Sequence, residues 1–404
     1  MLHKSPILRA LPLRLSRCLS SGVDYSSVRA CLSNGHPMNN VSTVVAEKVG
    51  RNLHLQPNHP LHIIKTKVES YCQEYSIQNK QSQFSIFDKE SPIADTKSCF
   101  DDLLVPPDHV SRSRSDTYYI DESTVLRTHT SAHQCQLIRA GEQAFLCSGD
   151  VYRRDEIDSS HYPVFHQMEG VRIFTPEELS AGITTAEKKM IIEEDLKKIL
   201  TGLAISLFGD VEMRWKEDYF PFTNPSFELE ILFNGNWLEV LGCGVIHDQV
   251  MINADKPSDM GWAFGLGLER LAMVLFDIPD IRLFWSQDSR FLEQFKDGQI
   301  NKFIPFSKYP FCYKDVSFWI PAPDGTKEAY HENYVYELIR CEAGDIVEKV
   351  EKFDDFVHPK TKRHSQAFRV TYRDMSRSLT NEEVDEVQWR VRDSLVKSLG
   401  VELR

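Results

Sequence analysis

The sequence predicts an α+β protein with a larger first domain and a smaller C-terminal domain. Two patterns indicate this fold class. In the first, runs of strand-forming residues are joined by short polar turns, as in antiparallel hairpins, and the segments 144–174 and 227–241 show it best. In the second, the predicted elements after Phe306 are strand, helix, two strands, helix and a last short strand, which is the order of a split βαβ domain.

Composition limits the kinds of protein that this chain can be. Its 404 residues suffice for two or three domains, and 41% hydrophobic and 26% charged residues are typical of a globular protein. The net charge of −12 means that any nucleic acid must be met by local basic patches. The nine cysteines are scattered without a Cys-x-x-Cys pair, which argues against a disulfide framework or a zinc site.

The first 25 residues differ from the rest of the chain. Up to Val23 they contain Lys4, three arginines, four serines and many leucines, and the first acidic residue is Asp24. An acid-free start rich in arginine and serine is typical of a mitochondrial transit peptide, whereas a secretory signal needs an apolar stretch without arginines. We therefore expect a transit peptide at 1–25 and exclude it from the fold, with a disordered basic tail as the alternative.

Hydrophobic periodicity and turn residues predict the elements of the first domain. Helices are predicted at Pro60–Tyr75, Thr185–Phe208 and Leu268–Phe276, and a Thr-Pro-Glu-Glu capping pattern predicts another at Thr175. Strands are predicted at 118–120, 124–127, 144–153, 164–174, 227–233, 237–241 and 262–267, with an Asn-Gly turn at 234–235. Residues 28–55 are expected to form an arm or short helix, and residues 91–114 a loop.

The C-terminal domain is predicted at 311–404, after a linker at 291–310. Its strands are predicted at 315–320, 344–353 and 366–372, and its helices at 328–341 and 380–399. Thr380 caps the last helix, with Glu383 three residues further on. This is a ferredoxin-like arrangement. A basic loop, HPKTKRH, lies within it at His358–His364, although a charge run is more often only a solvated face.

The segment Gly149–Gly170, GDVYRRDEIDSSHYPVFHQMEG, carries the most chemistry. One strand ends in Arg153 and Arg154, a polar loop follows, and the next strand holds Phe165 and Gln167. A guanidinium can bind phosphate while a ring stacks on a base, so this hairpin can hold a nucleotide. Taken alone, two arginines beside acids more often form a solvated ion cluster.

Three other stretches are candidates for the same site. LRTHTSAHQ at 126–134 groups hydroxyls and histidines at a strand end, without the cysteines or acids of a metal site. YFPFTNPS at 219–226 places two phenylalanines around a proline, where both rings can enter a pocket or join the core. GWAFGLGLERLAM at 261–273 lets glycines bring the backbone close to a flat ligand before Arg270 enters the next helix.

These motifs resemble the class II aminoacyl-tRNA synthetases. Gly149–Gly170 is similar to motif 2 and Gly261–Met273 to motif 3, while THTS, FHQMEG, FPFTNPS and GLGLERLAM resemble the phenylalanyl-tRNA synthetases, in their single-chain mitochondrial form. The resemblance runs from about residue 50 to the C-terminus. It implies a class II antiparallel sheet flanked by helices, with ATP bound in a bent shape together with Mg²⁺. The domains would then be a transit peptide (1–25), a catalytic domain (26–290), a linker (291–310) and a ferredoxin-like anticodon-binding domain (311–404).

The resemblance also implies roles at the nucleotide end of the site. Arg153 is similar to the motif 2 arginine on the α-phosphate, Arg270 to the motif 3 arginine at the far phosphates, and Phe165 to the ring under adenine. The two arginines are therefore the expected catalytic residues, and Arg154 is expected to be a surface neighbour. Asp155 departs from the family, where the corresponding acid is often glutamate.

At the amino-acid end, Ser131, Gln167 and Glu169 resemble the residues that hold the ammonium and carboxylate of phenylalanine. Phe220 and Phe222 would grip the phenyl ring edge to face. The other residues expected in the substrate site are His129, Ala132, His133, Gln134, Asp155, Ser160, His161, Tyr162, Met168, Glu239, Cys243 (setting the pocket depth), Phe264 (closing the site), Gly265 and Gly267. No metal site built from protein side chains is expected.

The implied function is the ATP-dependent attachment of phenylalanine to tRNA(Phe) in the mitochondrial matrix. Lys360, Lys362 and Arg363 would contact the tRNA, and the chain is expected to be a monomer without membrane contact. Two alternatives remain. A catalytically silent RNA-binding relative would have no reason to keep Arg153 together with Arg270, and a ligase that charges no tRNA would not need the C-terminal domain.

Overall fold

The computed structural model describes residues 23, 25–32, 35–179, 182–305, 309–321 and 330–404. Its helices are α1 (Tyr25–Cys31), α2 (Thr43–Ala46), α3 (Pro60–Gln78), α4 (Gln134–Arg139), α5 (Thr185–Phe208), α6 (Asp248–Asn253), α7 (Leu268–Phe276), α8 (Ser289–Leu292), α9 (Glu332–Ala343) and α10 (Asn381–Leu399). Its strands are β1 (Ser85–Phe87), β2 (Ile93–Asp95), β3 (Thr124–Leu126), β4 (Ala144–Tyr152), β5 (Val164–Phe174), β6 (Met213–Asp218), β7 (Thr223–Phe233), β8 (Asn236–Ile246), β9 (Met260–Gly267), β10 (Cys312–Trp319), β11 (Val347–Val357), β12 (His364–Tyr372) and β13 (Glu402–Leu403). Nearly all of the expected transit peptide, and residues 306–308 of the expected linker, lie outside the described residues.

The larger sheet has seven strands in the described part of the chain, in the order β1-β4-β5-β9-β8-β7-β6. β1 runs parallel to β4, and every other neighbouring pair is antiparallel. The β7–β8 turn has positive φ at Asn234 (52°) and Gly235 (82°), as a type I′ hairpin requires. The α+β fold with an antiparallel sheet flanked by helices is therefore confirmed.

The two faces of this sheet have different surroundings. Successive strand residues point to opposite faces, and directly paired residues share a face. On one face Trp262, Phe264 and Met168 join a core with Leu196 and Leu200 of α5. The other face carries Gln167 and Glu169, and farther along β5 it is covered by a second core containing Val171 and Ile173. Beside Gln167 and Glu169 this second face carries the exposed Gly265 of β9, and this open part of the sheet is called the cleft below.

The C-terminal sheet has four strands in the described residues, in the order β11-β12-β10-β13. α9 and α10 pack on one of its faces around Phe318, Phe368 and Val391, all fully buried. Thr380 and Glu383 form the predicted capping box at the start of α10. The predicted ferredoxin-like domain is confirmed, and the second face of its sheet lies toward solvent.

The two domains contact each other through the loop between β4 and β5. Ile157 of this loop lies in the core of the C-terminal domain, and its carbonyl accepts the Val350 N–H at 2.9 Å. Behind the loop, Arg282 donates to the carbonyls of Asp345 (3.0 Å) and Val347 (3.1 Å). The loop that follows Arg153 is therefore held by both domains.

Three local predictions are wrong, the first being the strand at 118–120, where only Tyr119 forms an isolated bridge with Val125. At Thr175 the expected capping contact is present, since its N–H donates to Glu178 at 2.8 Å, but residues 176–179 form only a turn. One turn is too short to continue as a helix unless neighbouring residues pack against it. The expected loop 91–114 contains β2 and short helical turns, because Cys99, Phe100 and Leu103 are buried in the second core. Their apolar pattern is hidden among polar neighbours in the sequence.

Candidate active site

Three glycines line the floor of the cleft beside Gln167 and Glu169. Gly267 pairs with Gln167, Gly265 pairs with Glu169, and Gly242 pairs with Gly265, so all five residues share one face. A Cβ atom at Gly265 would meet no other atom within 4 Å, which shows that the space above it is open. These three glycines are called here the glycine trough. Gly265 and Gly267 leave room for a flat or slender ligand along the sheet, whereas the Phe220 ring occupies the space above Gly242.

The acid beside the trough is poised to bind a cation. Glu169 is 2% exposed, it accepts a hydrogen bond from the Ser131 side chain, and its Oε2 atom has no partner among the described residues. Burial raises the pKa of Glu169 to about 8. A carboxyl group that is protonated when the site is empty would ionise when an ammonium group binds beside it.

The phenylalanine pair lies next to the trough. The rings of Phe220 and Phe222 are stacked, with centroids 5.9 Å apart and planes 16° apart. A Cβ at Gly242 would lie 2.8 Å from the Phe220 Cζ atom, so only glycine lets the ring rest on β8. Phe222 packs on the second core, which also contains Ala263. Two half-buried rings and small neighbours make this end of the cleft apolar.

Arg153 and Phe165 lie together at the end of the β4–β5 hairpin. The Arg153 guanidinium carbon is 5.2 Å from the centre of the Phe165 ring, and Nε donates to the Thr128 carbonyl at 2.9 Å. Burial lowers the pKa of Arg153 from its usual range. Bonding through Nε directs the terminal nitrogens as a fork that suits two oxygens of an anion.

Arg270 lies in the first turn of α7, which begins where β9 ends. Its Nη1 donates to the Glu239 carboxylate at 2.7 Å, and both side chains are about half exposed. An exposed ion pair of this kind contributes little to stability, so a phosphate group can replace or share the carboxylate at small cost.

The 126–134 segment contributes neutral groups. Thr130–His133 forms a 3₁₀ turn. Burial and the charge of Arg153 lower the pKa of His129 to about 4, and burial with Arg127 lowers that of His133 to about 3. Neither histidine is a cation near neutral pH. Gln134 is 1% exposed, and neither atom of its amide has a partner in the described residues, so the amide can bond to a ligand.

The structure places three of the expected site residues on the other face of the sheet. Cys243 and Phe264 pair with each other, and Phe264 pairs with Gly170, so they lie on the face opposite to Glu169. Met168 belongs to the same core as these two residues. All three therefore support the sheet from behind instead of lining the cleft. The alternation of β-strands makes this unavoidable once the register is known.

Three more expected residues make their contacts away from the glycine trough. The Tyr162 ring stacks on Trp285 with centroids 5.5 Å apart, and its hydroxyl donates to Asp345 at 2.7 Å. Tyr162 is therefore part of the domain contact. Ala132 is buried in the second core. His133 lies 2.9 Å from the Arg127 guanidinium and supports the 126–134 turn from behind.

The loop between Arg153 and Tyr162 faces the C-terminal domain and solvent. The Asp155 carbonyl accepts from Arg340 at 2.8 Å, which places this residue beside α9. Ser160 and His161 are exposed and both bond to Asp158, whose carboxylate raises the pKa of His161. Arg154 is 7% exposed and packs 5.0 Å from the Tyr334 ring, so it is a domain contact instead of the expected surface neighbour.

The sequence analysis missed Gly242 and Ala263. Both lie on the cleft face, because Gly242 pairs with Gly265 and Ala263 with Gly244. Each is one residue away from an expected site residue, Cys243 or Phe264. Successive residues of a strand point to opposite faces of the sheet, so these two could have been identified only by counting every second residue from a known cleft residue.

The basic loop of the C-terminal domain adjoins a cluster of rings and arginines. The guanidinium carbon of Arg363 lies 4.7 Å from the centre of a Trp319 ring, and that of Arg404 lies 5.3 Å away. Phe356 lies 5.6 Å from Arg404, and Lys360 and Lys362 are exposed on the adjoining loop. These residues, called here the basic corner, combine aromatic faces with cations, the combination that binds unpaired bases.

Two further observations concern metals and membranes. In the parts of the chain that the structure describes, no group of three or more histidine, cysteine or acidic side chains is placed to hold a metal ion. None of the described helices is both long enough and apolar enough to cross a membrane.

Comparison with known proteins identifies both domains. Residues 50–295 match the tRNA synthetases class II core domain (F) family, and residues 307–404 match the ferredoxin-fold anticodon binding domain family. The chain is 53% identical to the chloroplastic/mitochondrial phenylalanine–tRNA ligase of Arabidopsis thaliana, over 91% of this chain and 83% of that protein. It is 49% identical to the mitochondrial phenylalanine–tRNA ligase of Mus musculus, over 94% and 89% of the two chains. The mitochondrial enzyme of Dictyostelium discoideum is 45% identical over 95% of this chain and 92% of its own length.

Proposed function

This chain belongs to the phenylalanine–tRNA ligase family of class II aminoacyl-tRNA synthetases, and we propose that it attaches phenylalanine to tRNA(Phe) through a phenylalanyl-adenylate. The observation that carries the proposal is the buried Glu169 carboxylate beside the glycine trough, close to two stacked phenylalanines. An amino acid with an aromatic side chain fits this arrangement, because its ammonium can pair with Glu169 while its ring reaches Phe220 and Phe222.

The amino-acid end of the cleft holds the charged groups of phenylalanine by polar contacts and its phenyl ring by aromatic contacts. Ser131 and Gln167 lie beside Glu169 and orient the ammonium and carboxylate by hydrogen bonds. Phe220 and Phe222 contact the phenyl ring, and aromatic pairs of this kind add about 0.5–1.5 kcal/mol beyond their buried area. The carboxylate is thereby held over the trough, toward the β4–β5 hairpin.

The nucleotide end holds ATP so that its α-phosphorus meets that carboxylate. The phenylalanine carboxylate oxygen attacks the α-phosphorus, and the bond to pyrophosphate breaks. Arg153 stabilises the charge that develops on the α-phosphate oxygens, Phe165 stacks on adenine, and Arg270 binds the far phosphates. In the second step a hydroxyl of the terminal tRNA ribose attacks the phenylalanyl carbonyl, and AMP leaves. Neither step needs a protein nucleophile, so the rate comes from positioning and charge.

Mg²⁺ is proposed to accompany ATP. Glu239 offers a half-exposed carboxylate beside Arg270, and carboxylate oxygens are ligands that Mg²⁺ prefers. Because no cluster of three such side chains occurs in the described residues, most ligands of the ion would be phosphate oxygens and water. When bound, the ion supplies positive charge to the phosphate oxygens.

The tRNA contact is proposed to extend beyond the predicted loop. Lys360, Lys362 and Arg363 are exposed, and Trp319 offers a ring that an unpaired base can stack on. The matched anticodon-binding family supports an anticodon contact in this domain. The basic corner thus supplies local positive charge on a chain whose overall charge is negative.

Location, assembly and domain limits complete the proposal. The three relatives named above are mitochondrial or chloroplastic/mitochondrial enzymes, and a transit peptide at 1–25 would direct this chain to the mitochondrial matrix. We propose that the chain acts as a monomer, with domains at 26–290 and 311–404 joined by 291–310. Import into isolated mitochondria with removal of the N-terminal segment would test the location, and mass measurement in solution would test the assembly.

ATP–pyrophosphate exchange with each of the amino acids tests the proposed reaction. Exchange is expected with phenylalanine, and Arg153→Ala should abolish it without changing thermal unfolding, because Arg153 contacts the reacting phosphate. Arg214→Ala is the control, since Arg214 lies on the edge strand β6 and pairs only with Glu230 among the described acids. Exchange with another amino acid in place of phenylalanine, or a normal rate in Arg153→Ala, would refute the assignment.

A further inference from the structure

A buried acid ties strand β5 to helix α7 behind the nucleotide end of the cleft. Glu269 is 3% exposed and His166 is 0% exposed. One carboxylate oxygen of Glu269 accepts the His166 backbone N–H at 2.7 Å, and the other lies 2.7 Å from His166 Nδ1. One side chain therefore holds both the backbone and the ring of a single strand residue.

The backbone bond stands where the sheet ladder ends. The last pair between β5 and β9 is Gln167 with Gly267, because the chain turns into α7 at Leu268. His166 is the next residue of β5, and no strand carbonyl of β9 is left to accept its N–H. Glu269 supplies the acceptor from the first turn of α7, so the connection continues by one more bond. A negative side chain in that turn is also favoured by the helix dipole.

The residues next to this pair are the two groups assigned above to ATP. Phe165 precedes His166, and Arg270 follows Glu269. Each residue of the buried pair is thus the direct neighbour, in the chain, of a residue assigned to the cleft. Two hydrogen bonds made by atoms outside the cleft therefore join the segment that carries Phe165 to the segment that carries Arg270.

Stability alone is a weak explanation for this pair. Burying two polar partners costs desolvation free energy that their attraction only partly offsets, whereas fixing a register is the best-attested use of such contacts. The His166 ring is 5.1 Å from the His54 ring and 6.0 Å from the Trp285 ring between centroids. Within the described residues its Nε2 atom has no hydrogen-bond partner, so Glu269 makes the ring's polar contact.

We propose that Glu269 is a positioning residue for ATP: through His166 it fixes the separation of Phe165 and Arg270, so that base and far phosphates are bound together. The proposal rests on the proposed function, because it assumes that these two groups contact ATP. It assigns no contact with substrate to Glu269 itself. The positioning role depends on the length of the Glu269 side chain, which lets it contact both atoms of His166, more than on its charge.

Two substitutions separate reach from charge. Glu269→Gln keeps the length of the side chain, and its amide can accept the backbone N–H and donate to a neutral Nδ1. Glu269→Asp keeps the charge but is too short to reach both atoms. We expect kcat/KM for ATP in pyrophosphate exchange to fall about 100-fold in Glu269→Asp, which is the loss that about 1 Å of misplacement causes. In Glu269→Gln it should fall less than about tenfold. The KM for phenylalanine should change by less than about twofold in both, since Glu269 does not face the amino-acid end.

Val391→Ala is the control for a purely structural effect. Val391 is fully buried in the C-terminal domain, so its truncation lowers the unfolding temperature without touching the ATP site. The KM for ATP should not change in it. If Glu269→Asp shows a normal kcat/KM for ATP, raises both KM values equally, or is less impaired than Glu269→Gln, the positioning role is refuted. A wild-type chain without phenylalanine-dependent exchange would instead refute the proposed function, so the two failures are distinct.

Discussion

The ring of Phe220 rests on the backbone of Gly242, at a place where a Cβ atom would lie 2.8 Å from Cζ and 3.1 Å from Cε2. Gly242 also pairs with Gly265 on the cleft floor, so one glycine serves both the ring and the trough. A residue without a side chain is therefore part of the proposed phenylalanine pocket.

Gly242→Ala should weaken the activation of phenylalanine. The new methyl group must displace the Phe220 ring, and misplacement by about 1 Å costs on the order of 100-fold in rate. We expect kcat/KM for phenylalanine to fall by about that factor while the KM for ATP stays within about twofold. Exchange kinetics at varied phenylalanine and varied ATP would measure both values. Equal losses for the two substrates would show that the glycine supports the whole sheet instead of the ring.

Phenylalanine binding should depend on pH through Glu169. Its pKa of about 8 means that the empty site holds a proton below that pH, and the proton must leave before the carboxylate can pair with an ammonium. Affinity for phenylalanine should therefore rise about tenfold per pH unit from about pH 6 to about pH 8. The KM for phenylalanine across this range is the measurement.

Glu169→Gln should remove this pH dependence of phenylalanine binding and also change how the stability of the fold depends on pH. Because the folded pKa is raised, the proton on Glu169 stabilises the fold at low pH, and this contribution is lost as pH rises from the usual carboxyl range through about 8. The glutamine side chain does not ionise, so the variant does not lose this stability as pH rises. Above pH 8 it should unfold at a higher temperature than the wild type, although it binds phenylalanine poorly. If the unfolding temperature of Glu169→Gln changed with pH in parallel with that of the wild type, the role assigned to Glu169 would be contradicted.

Substitution in the basic corner should reduce tRNA charging without affecting adenylate formation. Trp319→Ala removes a ring that stacks with bases, and such a loss costs about 1–3 kcal/mol, or roughly 5- to 150-fold in kcat/KM for tRNA. Lys397→Ala on α10 is the control, because that helix packs on the opposite face of the sheet and the variant removes a cation there. Charging assays at two salt concentrations and tRNA-free exchange distinguish the steps. Equal charging by the two variants would remove Trp319 from the proposed contact.

Tyrosine should be activated at a measurable rate. The proposed ring end of the pocket has Phe220, Phe222 and Ala263 around it, and an apolar pocket rejects an added hydroxyl by only about 100-fold. Exchange with tyrosine should therefore proceed with kcat/KM about two orders of magnitude below that for phenylalanine. Complete absence of tyrosine-dependent exchange would indicate a polar group at the end of the pocket that excludes the hydroxyl.

Elements set by local chemistry were predicted well. The 164–174 strand and the Thr185–Phe208 and Leu268–Phe276 helices match the structure residue for residue. Each is bounded by local signals, such as the Thr184–Glu187 capping box and Gly209 at φ 79° on the long helix. The prediction for 91–114 failed because its buried apolar residues lie mainly in one short cluster, Cys99–Val105, between stretches rich in proline, serine and acidic residues.

The sequence alone determined the motifs, the order of elements and the two-domain α+β fold, because caps, turns and hydrophobic periods act over a few residues. Only the tertiary structure decided which strand residues face the cleft. A shift of one position separates Gly242 from Cys243 and Ala263 from Phe264, and strand register depends on pairing between distant segments. The same long-range pairing places Ile157 and Tyr162 against the C-terminal domain and Glu269 against His166. These contacts join residues far apart in the chain, so no local pattern in the sequence records them.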